Sequence, residues 1–124
     1  MNFIMSSSGF AIAYIVLMIP TYVLPYFGSN SLLLNSASAA AGGEIYLLFF
    51  FHIAFLAALV FLARLRGNAT GKGWLSTFPV AAALFDLMPG LSFIPMIPTI
   101  FHIVAIVQGV KEEPAAKRVA VPGR

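Results

Sequence analysis

The sequence predicts an all-α fold: a small integral membrane bundle of four short transmembrane helices, the last two joined as a tight Pro-Gly hairpin. Three observations lead there. Hydrophobic residues make up 60% of the 124-residue chain and charged residues 9%, where a soluble domain carries about 25% charged residues. A chain this short cannot hide so many apolar side chains in its own interior. Finally, all seven Lys and Arg residues follow residue 63, in two clusters, as expected of a protein oriented in a bilayer by its loops. The length suits one transmembrane domain over residues 1–110 with a short, flexible, basic tail over 111–124.

The first predicted helix is the uncharged run from Gly9 to Gly28, whose 20 residues reach about 30 Å, one hydrocarbon thickness. Pro20 and Pro25 interrupt its backbone donors and predict a bend and a frayed outer end. Tyr22 and Tyr26 suit the interface near that end. The small residues Ser36 to Ala40 resemble a signal-cleavage site. The segment before residue 9 lacks Lys and Arg, however, and the reading adopted is a retained helix. Residues 29–43, rich in Ser, Asn, Ala and Gly, form the first loop.

The second helix runs from Ile45 to Ala63, with Glu44 at its start and Arg64 and Arg66 at its end. Both signs complement the helix dipole. Ala54 and Ala58 form a small-xxx-small pair, a weak signal for close helix contact. Residues 67–73, GNATGKG, read as a polar turn. From Trp74 to Val110 the chain is 37 residues long, about 55 Å as one helix and too long for a single crossing. Pro89 and Gly90 divide it into arms at Trp74–Met88 and Ser92–Val110. The first arm reaches only about 22 Å, and Pro95 and Pro98 fall in the first turns of the second.

Charge sets the expected topology. Arg64, Arg66 and Lys72 cluster after the second helix, and Lys111, Lys117, Arg118 and Arg124 lie in the tail. Four crossings with both ends cytoplasmic place every basic residue inside, in a plasma (inner) membrane. The competing arrangement has three crossings, with 74–88 re-entrant and the tail outside.

Candidate chemistry is sparse. Asp86 stands near the outer end of the third helix, where a carboxylate costs about 2.5–3.5 kcal/mol if lipid-exposed. Its readings are a shallow water-reaching group, a cap for the Pro89-Gly90 turn, a protonated partner in a hydrogen bond, or a relay. His52 and His102 lie within the second and fourth helices, and with Asp86 they define a candidate intramembrane polar cluster. Imidazole and carboxylate can exchange protons, and two His with one carboxylate can ligate zinc. No local spacing supports a metal, so neither a metal nor a cofactor is expected. Cysteine is absent, which excludes thiolate chemistry. The chain carries no phosphate loop, dinucleotide glycine pattern, HExxH or GxSxG, so no catalytic residue is assigned and an enzyme is not expected. The tail mixes Glu112 and Glu113 with its cations and has no aromatics, which argues against nucleic acid and suits lipid head groups. Two function classes remain. One is an accessory, scaffold or assembly subunit of a membrane complex, contacting lipids and other membrane subunits or itself. The other is an oligomeric proton- or ion-coupled transporter or channel using Asp86 with His52 and His102.

Overall fold

The structure is a computed structural model that describes residues 2–24, 40–42, 47–88 and 96–111. Among the described residues every regular element is helical. A short turn α1 (Asn2–Met5) leads into α2 (Ser7–Val23), followed by α3 (Leu47–Thr70), a 3-10 turn (Gly73–Ser76) continuing as α4 (Thr77–Leu87), and α5 (Met96–Val110). Among the described residues only α3 is long and apolar enough to cross a membrane, with a mean hydropathy of 2.3 over its most apolar window; Ser7–Val23, Gly73–Leu87 and Met96–Val110 are shorter apolar helices. That helix supports membrane association.

Local chemistry sets the boundaries. Ser6 caps α2, its hydroxyl accepting from Gly9 N at 3.0 Å, so the helix starts two residues before the expected Gly9. At the other end, the described helix stops at Val23; the expected continuation to Gly28 lies outside the described residues. The larger correction concerns α3. It does not stop at Ala63 but continues through the sequence read as a turn, to Thr70. Thr70 Oγ1 donates to Arg66 O at 2.9 Å within that last turn. Gly71, at φ +75°, then ends the helix, and Lys72 N donates back to Gly67 O at 2.7 Å. This six-to-one closure is a Schellman stop, which needs a residue free to turn left-handed. Met88 adopts an extended conformation (φ −83°, ψ 122°) after α4, the geometry favoured in a residue before a proline. The Pro89-Gly90 turn itself and the start of the fourth predicted helix before Met96 lie outside the described residues, as does the tail beyond Lys111, with Lys117, Arg118 and Arg124.

Contacts between ends give the topology. Ser7 Oγ donates to Val110 O at 3.1 Å, and Arg66 Nε donates to Gly109 O at 2.8 Å. At the other end Tyr22 bonds Thr99 at 2.6 Å, and His52 bonds Asp86 at 2.5 Å. So α2 and α4 run one way and α3 and α5 the other. The start of α2, the α3–α4 turn and the end of α5 share one end, the basic end, with Arg64, Lys72 and Lys111.

The core gathers Phe10, Tyr14, Leu59, Leu62, Ala63, Leu75 and Ala105. Large apolar side chains cover the outside instead: Ile12, Val16, Ile19 and Val23 on α2, and Ile100, Ile103, Val107 and Val110 on α5. Their spacing of three and four traces an outward stripe along each helix. In lipid such stripes need no protein partner, and helix association rests on close packing and interhelical hydrogen bonds.

Candidate functional site: an interhelical polar cluster

The inward stripe of α3 is a strict alternation of three- and four-residue steps: Phe49, His52, Leu56, Leu59, Ala63, Arg66 and Thr70, all buried. This stripe carries two polar side chains into the bundle, His52 near one end and Arg66 at the other. On α5 the buried stripe is Pro98, His102, Ala105 and Gly109. On α2 it includes Phe10, Tyr14 and Thr21.

Two of the three candidate residues meet directly. His52, fully buried, places Nε2 2.5 Å from Oδ2 of Asp86, whose side chain is 19% exposed. With Asp86 ionised, the imidazole N–H donates to the carboxylate. His102 does not join that bond. Its Nδ1 is 2.9 Å from the Tyr14 hydroxyl, both residues being buried. The phenol donates when the imidazole carries its proton on Nε2. The ring of Tyr22 lies 6.5 Å from that of His102 while its hydroxyl engages Thr99. The half of the bundle away from the basic end holds three polar pairs: His52–Asp86 on α3 and α4, and Tyr22–Thr99 and Tyr14–His102 on α2 and α5.

Toward the basic end this set stops at an apolar layer. The Phe10 ring packs against Tyr14 at 5.6 Å, among Leu59, Leu62 and Ala105. Beyond it sits Arg66, 0% exposed. Its guanidinium stacks over Phe10 at 5.9 Å, donates to Met5 O, and donates to Ser7 Oγ at 2.9 Å and Gly109 O at 2.8 Å. Arg66 was expected as a topology-setting loop cation, and the structure corrects this: continuation of α3 turns it inward, where it ties the chain's first residues to the end of α5. Arg64, two positions earlier, is exposed, and so is Lys111. Lys72 is half-buried and stacks over the Trp74 ring at 5.8 Å.

The sequence reading placed Tyr22 at the interface and singled out none of Tyr14, Tyr22 and Thr99 as site residues. For Tyr14 the signal was the i, i+4, i+11 spacing of Phe10, Tyr14 and Thr21 on one face of α2; no such spacing marks Tyr22 or Thr99. Among the described residues no group of three or more His, Cys, Asp or Glu could hold a metal ion. Besides proton exchange between paired groups, the arrangement supplies interhelical bonds: His52–Asp86 links α3 to α4, Tyr14–His102, Tyr22–Thr99 and Ser7–Val110 link α2 to α5, and Arg66 links α3 to α1, α2 and α5. Comparison with protein-family models, with curated proteins and with solved structures finds no match for this chain.

Proposed function

We propose that the chain is a multi-pass protein of the plasma (inner) membrane, its four helices crossing the bilayer with both termini cytoplasmic, and that it serves as an accessory, scaffold or assembly subunit of a membrane complex. One observation carries this reading: the molecule is inverted. His52, His102 and Arg66 are buried and bonded across helices, while the outer faces are aliphatic and aromatic. Buried polar side chains of this kind hold helices together in lipid, each contributing about 0.6 kcal/mol on average and up to about 1.7. They leave the apolar exterior free for lipid and partner helices.

A second reading is favoured by a specific contact. The 2.5 Å His52–Asp86 bond suits an oligomeric proton- or ion-coupled transporter or channel using Asp86 with His52 and His102. One experiment separates the two. Asp86→Asn and Asp86→Leu are compared for membrane abundance, for membrane subunits co-purifying in mild detergent, and for proton flux in proteoliposomes. Asn keeps a hydrogen-bonding amide and Leu does not. The subunit reading expects near-normal abundance and partner recovery with Asn, a loss of both with Leu, and no flux from wild type. A wild-type flux abolished in a normally abundant Asn variant would overturn it in favour of transport.

A further inference from the structure

α3 and α4 diverge on the outer face and leave an apolar groove of about 230 Å³ between them. Ile53, Ala57 and Val60 line it from α3, and Val80, Leu84 and Leu87 from α4. We propose that this groove holds one acyl chain of an anionic phospholipid from the leaflet at the basic end, with Arg64 taking its phosphate. The proposal rests on the membrane reading above.

The lining is wholly apolar, so a ligand with polar groups in the groove would lose its hydrogen bonds to water without replacement. The volume is smaller than the roughly 300 Å³ at which small-molecule sites begin. A single hydrocarbon chain, one methylene wide, can lie along such a groove with its other side against neighbouring lipid. Charge then selects the lipid. On α3 the positions Ile53, Ala57, Val60 and Arg64 follow one another by four, three and four, so Arg64 stands one turn beyond Val60 on the groove's own face. Arg64 is exposed, and among the described residues it makes no ion pair or hydrogen bond. From Arg64 back to Ile53 is eleven residues, about 16 Å of helix, close to the roughly 15 Å of one leaflet's hydrocarbon. A chain filling the groove therefore brings its head group to the guanidinium. Trp74, half exposed near the same end of α4, is the residue type that settles at head-group level. A guanidinium also matches a phosphate with two parallel donors.

The test uses the full chain purified in mild detergent. It is incubated with an equimolar mixture of phosphatidylglycerol and phosphatidylcholine carrying identical acyl chains, and bound lipid is read by native mass spectrometry. Wild type should retain phosphatidylglycerol in preference. Arg64→Gln should reduce that preference about fivefold, the factor corresponding to the roughly 1 kcal/mol of one cation near anionic lipid, and Arg64→Lys should keep most of it. Ala57→Phe, which fills the groove, should lower retention of both lipids. A wild type without preference, or a preference that survives Arg64→Gln, would overturn the proposal. So would an Ala57→Phe variant that holds lipid normally but no longer self-associates, since the groove would then belong to a second copy. An alkaline wash of native membranes keeps the two levels apart. Release of the protein refutes the membrane reading and the lipid site together; firm retention without lipid preference refutes the lipid site alone.

Discussion

Gly109→Ala tests the packing at the centre of the basic end, because one methyl group there has nowhere to go. A Cβ at this position would stand 2.2 Å from Cε1 and 2.8 Å from Cζ of Phe10. The ring cannot swing away cheaply. It is fully buried, with Tyr14 at 5.6 Å on one side and the Arg66 guanidinium at 5.9 Å on another. Two effects oppose each other. Alanine favours the helix over glycine by about 1 kcal/mol. Overpacking costs about 1–3 kcal/mol, and pushing the ring onto Arg66 disturbs buried bonds from a charged group worth about 1.5–3 kcal/mol each. The steric side wins, and the net loss should be about 2 kcal/mol. The assay is reversible unfolding in mixed micelles by denaturing detergent, followed by far-ultraviolet circular dichroism. Phe10→Leu removes the clashing ring atoms, so the double variant should be more stable than the two single losses predict, with a coupling of about 1–2 kcal/mol. A Gly109→Ala protein as stable as wild type, or more stable, would mean that propensity decides and that α2 and α5 do not meet at this distance.

Two further predictions concern the basic end and the topology. Arg66→Met should destabilise by about 2–4 kcal/mol, because it leaves Met5 O, Gly109 O and Ser7 Oγ without their charged donor, and Arg66→Lys should rescue little, because a point cation cannot reach Met5, Ser7 and Gly109 at once. Arg64→Gln should change stability by less than about 0.5 kcal/mol; equal effects at the two arginines, measured by the same unfolding assay, would refute the inward placement of Arg66. Reporter fusions after residue 35 and after residue 124 should report opposite sides of the membrane, and a shared side would rule out four crossings with both ends inside.

The helical class and the approximate positions of the four apolar segments were legible because they depend on composition and on a few breakers. Met88 before Pro89 ended α4 as expected, since the steric clash behind that rule is local. The end of α3 was not legible in the same way. Gly67, Asn68 and Thr70 are turn residues by propensity, yet packing overrides propensity here. Thr70 finds an acceptor inside the helix at Arg66 O, and Gly67 lies close under Lys72 and Leu75. The glycine that does stop the helix is Gly71, and nothing in GNATGKG taken alone says which of its three glycines turns left-handed. The candidate polar residues were legible as types. Their pairing was not, because His102 is joined to Tyr14 by a contact across 88 positions of chain, and no local spacing encodes it.

Arg64 and Arg66 make the same point about charge. Counted as basic residues near a helix end, they are interchangeable, and a count is all that loop asymmetry uses. Counted by angle they are opposites. Two positions along a helix are about 200° of rotation at 3.6 residues per turn, so the two side chains cannot share a face. His52 fixes which one turns inward: Arg66 follows it by fourteen residues, two full repeats of the buried stripe Phe49, His52, Leu56, Leu59, Ala63, Arg66 and Thr70. Once His52 is placed in the interior, Arg66 must be there too, provided the helix runs on past Ala63. Arg64 is then left outside, one turn below Val60 on the groove's face. The pair therefore divides two tasks that a charge count assigns to both. The inner guanidinium closes the bundle against its own backbone carbonyls, and the outer one stays exposed, where the proposed lipid site uses it. Had the helix ended at Ala63, neither arginine would have been committed to a direction, so the helical reading of GNAT decides the roles of both.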